Sequence, residues 1–315
     1  MSVFTTLQET EVASWLTQFS VGNFVALKGI AAGITNTNYF VTTSQNKFVL
    51  TIFEQNKAED LPYFVDLMAH LSANGVLCPT PIFAKNHQAL HQLHGKPAMM
   101  VSCLQGSDIA IPTVDQIKQV ARELARLHAQ GADYKATSVN QRDSNWRNNT
   151  AQKVLPKLSK ADQTLLKNEL AYQQKTDYSH LPAGVIHGDL FRDNVLFDID
   201  KLTGFIDFYY ACHDVLAYDI AIAMNEWCVH HNGADIGSFD DEKAEAFCAA
   251  YEEIRTLDLA EHFRLNDLLR LAALRFWLSR LHDFHFPAKG ELTHTKDPNH
   301  FKNILLQHIA QQANN

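Results

Sequence analysis

Several features that would assign a sequence to a class at once are missing from these 315 residues. The five cysteines are scattered without a C-x-x-C pair, which argues against a disulfide framework or a zinc site and predicts reduced thiols in a cytoplasmic protein. No apolar run approaches the roughly 18 residues that a membrane-spanning helix needs. Residues 1–19 lack a basic stretch followed by an apolar one, so no signal peptide is expected.

Positive charge is scarce as well, because 27 Lys and Arg stand against 35 Asp and Glu, a net charge of −8. Bulk electrostatics therefore predict neither a nucleic acid nor an anionic membrane as a partner, and leave room for a local basic site that binds a nucleotide. The sixteen histidines show no H-E-x-x-H or comparable ligand spacing. With 46% apolar and 20% charged residues the composition is typical of a soluble globular protein.

Hydrophobic periodicity predicts that the chain changes from strands to helices near residue 105. The first part has predicted helices at 10–19 and 61–73 and predicted strands at 24–30, 38–43, 47–53 and 96–104. The later part has predicted helices at 113–130, 152–175, 215–230, 240–254, 258–284 and 298–312. The first of these opens on a capping box formed by Thr113 and Gln116. Residues 133–150 are interpreted as an exposed loop.

These elements predict an α+β, bilobal protein. An N-terminal antiparallel β-sheet lobe is expected at residues 1–104, followed by a larger, mainly helical C-terminal lobe at 105–315. The polar break near residues 102–112 is interpreted as the hinge between the two lobes.

The chemistry is concentrated in two short polar loops that follow apolar, strand-like runs. The first contains His187, Asp189 and Asn194 with the spacing His-x-Asp-x4-Asn, which is that of a kinase catalytic loop. The second contains Asp207, followed by Phe208. Phosphoryl transfer requires a carboxylate that accepts a hydroxyl proton and oxygen ligands that hold Mg²⁺ against the phosphates. A hairpin that joins the two loops would bring these groups together, whereas a single His-x-Asp would indicate only a turn.

A glycine-containing turn precedes these loops by a long stretch of chain. Gly29 and Gly33 are followed by the small polar run Thr35-Asn36-Thr37-Asn38. Such a turn could lie over phosphates and offer backbone N–H groups and hydroxyls, although many turns of this composition simply close a hairpin. Its position upstream of the Asp189 loop favours the phosphate-binding interpretation.

The order of these features resembles the aminoglycoside phosphotransferase and choline kinase branch of the protein-kinase-like fold, which carries H-G-D where protein kinases carry H-R-D. The resemblance extends over nearly the whole chain to the homoserine kinase family of the phosphotransferase-related type. The stretches that carry it are residues 33–40, 48–54, 187–196, 206–212 and 274–281.

The resemblance implies a role for each matching residue. Asp189 is expected to act as the catalytic base, with His187 as the scaffold of its loop. Asn194 and Asp207 are expected to bind Mg²⁺, and Asp219 to brace the catalytic loop, although a solvated helix acid is an equally good interpretation of Asp219. The expected ATP contacts are Gly33, Thr35, Asn36, Thr37, Asn38, Ser102 and Cys103.

One feature departs from the wider fold. Kinases place a phosphate-contacting Lys on the third strand, paired with a Glu on the next helix. Here Thr51 occupies the Lys position and Phe64 falls near the Glu position. Both members of the ion pair are absent together, which avoids leaving one buried charge unpaired. The sequence does not indicate which group replaces the lysine.

The substrate implied by the resemblance is L-homoserine, whose carboxylate calls for an arginine near the catalytic base. The candidate substrate contacts are Tyr209, Asn225, Trp227 and Arg275, with Glu226 and Arg280 as further candidates. Because Arg275 and Arg280 are five residues apart, only one is expected to enter the site. Transfer to another small alcohol (choline, ethanolamine, a methylthio-sugar or an aminoglycoside) and a non-catalytic pseudokinase stay open, as does the choice between monomer and homodimer.

Overall fold

The structure is a computed structural model, which describes residues 5–30, 36–287 and 296–314. The chain forms two compact units, Met1–Gln105 and Gly106–Asn315. Among the helices in the described ranges, none combines the length and apolar character required to cross a membrane. The predicted fold class is confirmed, because a five-stranded antiparallel sheet occupies the first unit and helices dominate the second.

The first unit is built on a sheet with strand order β1-β2-β3-β5-β4, in which all neighbours are antiparallel. Its strands are β1 (Phe24–Gly29), β2 (Thr37–Thr43), β3 (Lys47–Ile52), β4 (Leu90–Leu93) and β5 (Lys96–Ser102). Every second side chain of β2 is buried, which is the period expected of a strand packed on one face. The register places Asn38 opposite Thr51, so the residue in the lysine position adjoins the predicted phosphate-binding turn.

Two helices complete this unit. Helix α1 (Glu9–Leu16) buries Val12, Trp15 and Leu16 in the same apolar core as strand residues Leu50 and Ile52. Helix α2 (Leu61–Ala73) ends at Asn74, and the next residue, Gly75, has φ +81, a conformation that favours glycine.

The second unit is organised around seven helices within the described residues. They are α3 (Val114–Gly131), α4 (Ser144–Val154), α5 (Lys160–Lys175), α6 (Leu216–Trp227), α7 (Asp241–Glu252), α8 (Leu259–His285) and α9 (Asn299–Asn314). Helix α3 begins with the predicted capping box, in which the Gln116 amide donates to the Thr113 hydroxyl at 3.2 Å and the Thr113 amide donates to the Gln116 side chain at 2.9 Å. Every residue of α6 is buried, so this helix forms the centre of the unit.

Two small antiparallel ladders place the polar loops side by side. Strand β6 (Ala183–Ile186) pairs with β9 (Cys212–Val215), and β7 (Val195–Asp198) pairs with β8 (Lys201–Phe205). The loop after β6 and the loop after β8 are further joined by the Ile206 amide, which donates to the Asn194 carbonyl at 2.9 Å. The two halves of the sequence motif are therefore held together by backbone pairing.

One loop prediction and one helix prediction were wrong in detail. Residues 133–150 are not a continuous loop, because α4 starts at Ser144 and is capped by Asp143, whose carboxylate accepts from the Trp146 amide at 2.8 Å. Its polar composition concealed the helix from a search for apolar periodicity. The predicted helix at 152–175 is broken by a 3₁₀ turn at Leu155–Lys157. This turn contains Pro156, which lacks the backbone N–H that a continuous helix requires as a hydrogen-bond donor.

Candidate active site

A buried carboxylate on α6 holds the backbone of the predicted catalytic loop. The two oxygens of Asp219 accept from the His187 amide at 2.7 Å and from the Gly188 amide at 2.8 Å. Gly188 has φ +75, and a β-carbon there would lie 2.8 Å from the Tyr210 carbonyl oxygen, so a side chain would disturb this turn. Asp219 therefore fixes the direction in which the side chain of Asp189, the residue after Gly188, projects from the loop.

Asp219 is itself charged and fully enclosed. It is 0% exposed, and the His128 ring lies 3.2 Å from one of its oxygens. Burial by itself would raise the pKa of Asp219, but the hydrogen bond with His128 and the favourable interactions with His128, His187 and the Gly188 amide hold that pKa below its ordinary value. An ionised carboxylate accepts strong hydrogen bonds from backbone amides, so the loop is held firmly.

His187 is turned toward the backbone of the second loop. Its ring is fully buried, and burial lowers its pKa, so the ring is neutral near pH 7. Its Nε2 lies 3.0 Å from the Ile206 carbonyl, and the Asp189 amide donates to its Nδ1 at 3.3 Å. These contacts assign the proton to Nε2. The ring links both loops and has no polar atom left for a substrate.

The carboxylate of Asp189 lies between an amide and a guanidinium. The Asn194 side-chain amide donates to the Asp189 carbonyl at 2.8 Å and faces its carboxylate Oδ2 at 3.3 Å. On the other side, Arg275 Nη1 donates to Oδ1 at 3.3 Å. Each oxygen keeps lone pairs for a further donor, so the carboxylate is oriented and remains able to accept a hydroxyl proton.

Asp207 follows β8 in a strained backbone conformation. Its φ is +64, in the left-handed region that residues other than glycine seldom adopt. Such conformations occur preferentially at functional sites. Desolvation and then the charge of Asp189 raise the pKa of Asp207, although its side chain is exposed to solvent. Because an exposed carboxylate is little desolvated, we attribute the raised pKa of Asp207 mainly to repulsion by the charge of Asp189. Two neighbouring carboxylates of like charge form an arrangement that a cation would stabilise.

Two of the predicted substrate residues are buried and bonded within the protein. Asn225 is fully buried, where its amide donates to the Leu269 carbonyl at 2.8 Å and its oxygen lies 2.8 Å from the His308 ring. Trp227 is also fully buried and donates to the Leu190 carbonyl at 3.0 Å. Both side chains are engaged within the protein and neither is open to a ligand, because the interior of the helical unit already satisfies them.

Of the remaining candidates, one contacts the carboxylate of Asp189. Tyr209 is half-buried in the 3₁₀ turn that follows Asp207, and Arg275 contacts Asp189 directly. Arg280 instead donates to the Asp297 carbonyl at 3.0 Å, and the buried Glu226 accepts from Arg192 at 2.8 Å. Of the two candidate arginines, both of which lie on α8, only Arg275 reaches the catalytic loop.

Sequence reasoning missed Arg142 and its hydrogen-bond partner Tyr210, which lie beside this site. Arg142, in the segment interpreted as a loop, donates from Nη2 to the Tyr210 hydroxyl at 3.1 Å. Its guanidinium carbon also lies 4.6 Å from the Trp146 ring centroid and 5.3 Å from that of Tyr210. No periodicity or motif marks Arg142, because the contact joins segments 68 residues apart.

In the first unit, the polar residues around the predicted nucleotide-binding turn meet at Glu54. Its carboxylate accepts from the Thr37 hydroxyl at 2.6 Å and from the Thr5 hydroxyl at 2.7 Å, and it forms an ion pair with Lys96. The Glu54 amide donates to the Asn36 side chain at 3.2 Å. Burial opposes ionisation, but the hydrogen bonds from Lys96, Thr37 and Thr5 outweigh it and lower the pKa of Glu54.

The other predicted nucleotide contacts are placed as follows. Asn38 accepts from the Thr51 hydroxyl at 2.7 Å, so these two side chains bond to each other across the strands. Ser102 ends β5 and accepts from the Thr80 amide at 2.9 Å, and the half-buried Cys103 follows it. Gly33 and Thr35 lie outside the described residues.

Comparison with known proteins agrees with this architecture. Residues 26–257 match the family model of the phosphotransferase enzyme family. The chain is 50% identical to a homoserine kinase of Methylobacillus flagellatus, over 98% of this chain and 96% of the relative. It is 44% identical to a homoserine kinase of Neisseria meningitidis serogroup B, over 97% and 99% of the two chains.

Solved structures show the same fold at much lower identity. A spectinomycin phosphotransferase aligns with a TM-score of 0.72 at 12% identity, over 98% of this chain and 99% of the other. A choline kinase from Cryptosporidium parvum aligns with a TM-score of 0.68 at 13% identity, over 98% and 96%. The predicted resemblance is confirmed: the chain belongs to the phosphotransferase enzyme family, and the two full-length relatives described above are homoserine kinases.

Proposed function

We propose that this protein transfers the γ-phosphoryl group of ATP to the hydroxyl of L-homoserine and produces O-phospho-L-homoserine. The observation that carries the proposal is the position of Asp189, whose carboxylate is oriented by Asn194 and Arg275 in a loop held by buried Asp219. Relatives that are 40 to 50% identical over nearly the full chain and are homoserine kinases support the choice of acceptor.

In this proposal Asp189 accepts the proton of the substrate hydroxyl as the oxygen attacks phosphorus. The side-chain NH₂ of Asn194 donates to the Asp189 carbonyl. The side-chain oxygen of Asn194 therefore points away from that hydrogen bond. Arg275 holds the second carboxylate oxygen and keeps the base from rotating away from the hydroxyl. Positioning of this kind is the main contribution that a protein makes to phosphoryl transfer.

We further propose that Asn194 and Asp207 would hold Mg²⁺. The described residues include no cluster of three or more His, Cys, Asp or Glu side chains that could bind a metal ion. An amide oxygen and one carboxylate nevertheless fit Mg²⁺, which commonly takes one or two protein ligands and completes its octahedron with phosphate oxygens and water. When bound, the ion neutralises charge on the phosphates. The repulsion between Asp207 and Asp189 supports a cation at this place.

We assign nucleotide binding to the first lobe, residues 1–104, with 105–315 carrying the catalytic residues. The side chains of Asn36 and Thr37 are bonded to residue Glu54, and that of Asn38 to Thr51. Residues 36–38 would therefore contact phosphates through backbone N–H groups rather than through these side chains. Ser102 and Cys103, at the end of β5, are proposed to contact the base of the nucleotide.

The proposal is tested by coupled ADP release with L-homoserine, choline and kanamycin as acceptors in the presence of Mg²⁺. We expect turnover with L-homoserine only. Turnover with choline or kanamycin and none with L-homoserine would show that the acceptor is wrong. Absence of turnover with all three, in protein that still binds ATP, would favour a non-catalytic nucleotide-binding protein.

A further inference from the structure

A pair of arginines adjoins one tyrosine ring beside the catalytic base. The guanidinium carbons of Arg142 and Arg275 lie 5.3 Å and 5.5 Å from the ring centroid of Tyr210. Arg275 also contacts Asp189, and Arg142 is hydrogen-bonded to the Tyr210 hydroxyl. We call these three residues the arginine–tyrosine group. It places two positive charges against one tyrosine ring, and one of these charges also contacts the catalytic base.

Arg275 has more hydrogen-bonding capacity than the protein uses. Its side chain is 4% exposed, and its one hydrogen bond among the described residues is the 3.3 Å contact with Asp189. Its Nε is buried and has no partner there. A guanidinium carries five N–H donors, and leaving a buried donor unsatisfied costs free energy. The buried Nε therefore indicates an additional acceptor that arrives with a ligand.

Arg142 is held in place without being neutralised. Its guanidinium contacts the rings of Trp146 and Tyr210, and no Asp or Glu among the described residues lies within ion-pair distance of it. Stacking on aromatic rings fixes the plane of the guanidinium and leaves its N–H edges for a planar anion. An oriented arginine with no acidic partner is a suitable recognition group for a carboxylate.

The backbone around Arg142 is supported by further contacts. Its amide donates to the Asn140 side chain at 2.7 Å, and Asn140 in turn donates to Asp214 on β9 at 2.6 Å. Arg147, on α4, donates to the Arg142 carbonyl at 2.9 Å. These bonds tie the segment before α4 to the strand that pairs with β6, so Arg142 is placed by the same framework that places Asp189.

The charge of the arginine–tyrosine group selects among the acceptors. Two cations beside Asp189 repel an acceptor that carries only a quaternary or primary ammonium, such as choline or ethanolamine. They attract an acceptor with a carboxylate a short carbon chain away from its hydroxyl. Such a molecule would place its hydroxyl at Asp189 while its carboxylate meets the free edges of Arg275 and Arg142.

We propose that Arg142 and Arg275 together recognise the carboxylate of the substrate, and that Arg142 makes the enzyme select hydroxy amino acids over amino alcohols. This inference rests on the proposed function. Arg275 both orients the base and contacts the substrate, whereas Arg142 contacts the substrate alone. Arg142 is therefore the residue whose replacement should change specificity and leave the chemistry of Asp189 intact.

The test compares two acceptors that differ in the carboxylate. Steady-state kinetics are measured with L-homoserine and with 3-aminopropanol, which is homoserine with hydrogen in place of the carboxylate. For Arg142→Gln we expect kcat/KM for L-homoserine to fall by about 10- to 100-fold, mainly through KM, the scale of one lost charge-assisted hydrogen bond. For 3-aminopropanol we expect kcat/KM to stay unchanged or to rise, because this acceptor has no carboxylate contact to lose and its ammonium is no longer repelled by Arg142.

Controls separate a specific effect from a structural one. Arg122, a half-buried arginine on α3 that pairs with Glu253, provides a matched variant, Arg122→Gln, which should leave kcat/KM for both acceptors unchanged. If Arg142→Gln does not fold, Arg142→Lys keeps the charge but loses the planar fork and should show an intermediate loss with L-homoserine only. If 3-aminopropanol is not turned over, its inhibition constant against L-homoserine is compared instead and should stay unchanged or fall.

The outcomes distinguish this inference from the proposed function. Equal losses with both acceptors, or an unchanged kcat/KM for L-homoserine in Arg142→Gln, would overturn the role of Arg142 while the kinase assignment stands. A wild-type protein that does not phosphorylate L-homoserine would overturn the proposed function itself.

Discussion

Replacing Asp219 by asparagine tests how far catalysis depends on a residue that touches no substrate. The carboxylate accepts from the His187 and Gly188 amides at 2.7 and 2.8 Å and lies 3.2 Å from the His128 ring. An amide of the same shape has one acceptor oxygen, so one backbone N–H of the loop must lose its partner and face the asparagine NH₂. The negative charge that His128 adjoins is lost as well.

The expected magnitude follows from these contacts. Removing one partner of a buried, hydrogen-bonded charge typically destabilises a protein by about 3 to 5 kcal/mol. Urea unfolding should show a loss of this size for Asp219→Asn. The loop that carries Asp189 should also shift, and a misplacement of about 1 Å can lower turnover by ~100-fold. We therefore expect kcat to fall by about two orders of magnitude, with a smaller change in the KM for ATP.

The pH dependence provides a second measure. The pKa of Asp219 is lower in the folded protein than its ordinary value of 3.8, so the unfolded chain binds this proton more readily. The stability that Asp219 contributes is therefore present above that ordinary value and is lost as pH falls below it. The difference in unfolding free energy between the wild type and Asp219→Asn should narrow in that range.

A matched control is Asp66→Asn, an exposed acid on α2, which should change stability by less than about 0.5 kcal/mol and leave kcat unchanged. The reasoning would be refuted by an Asp219→Asn protein with wild-type stability. It would also be refuted by a folded variant whose kcat equals that of the wild type.

Three further predictions use other parts of the molecule. Asp189→Ala should lower kcat by about 100-fold or more, the scale of a general base, and near-normal turnover would contradict the assignment. Glu54→Gln should raise the KM for ATP by up to about tenfold and leave the KM for L-homoserine unchanged, because Glu54 bonds Asn36 and Thr37 beside the turn. An unchanged KM for ATP would contradict a role of this turn in nucleotide binding. Burial lowers the pKa of His308 from 6.5 to about 4, so the unfolded chain binds its proton first and stability falls as pH drops from 6.5 toward 4. Urea unfolding should show a loss on the order of 2 kcal/mol between pH 7 and pH 5 that His308→Gln largely abolishes, and equal slopes in both proteins would exclude this cause.

Buried hydrogen bonds explain why some of the predicted substrate residues are not open to a ligand. Trp227 bonds the Leu190 carbonyl, next to Asp189, whereas Asn225 bonds the Leu269 carbonyl, so both side chains are satisfied inside the helical unit. A sequence shows that a polar residue lies in a helix close to the motif. It does not show whether that residue is bonded to a ligand or to the backbone of a neighbouring element.

The reaction class could be inferred from the chain alone, because the groups that carry it are close in sequence. Asp189 and Asn194 belong to one loop, and Asp207 follows a hairpin whose pairing is local, so spacing is enough to predict that they meet. The fold class was also predictable, since a period of two in the first unit and longer apolar repeats in the second are properties of local stretches.

The tertiary structure alone decided which distant residues complete the site. Arg275 reaches Asp189 across 86 residues, and Arg142 reaches Tyr210 across 68. The five-residue spacing of Arg275 and Arg280 predicted that only one of them would face the loop, but the packing of α8 determined which. Contacts of this kind depend on how whole helices pack and on which buried donors stay unsatisfied, and neither property is encoded in any short stretch of the chain.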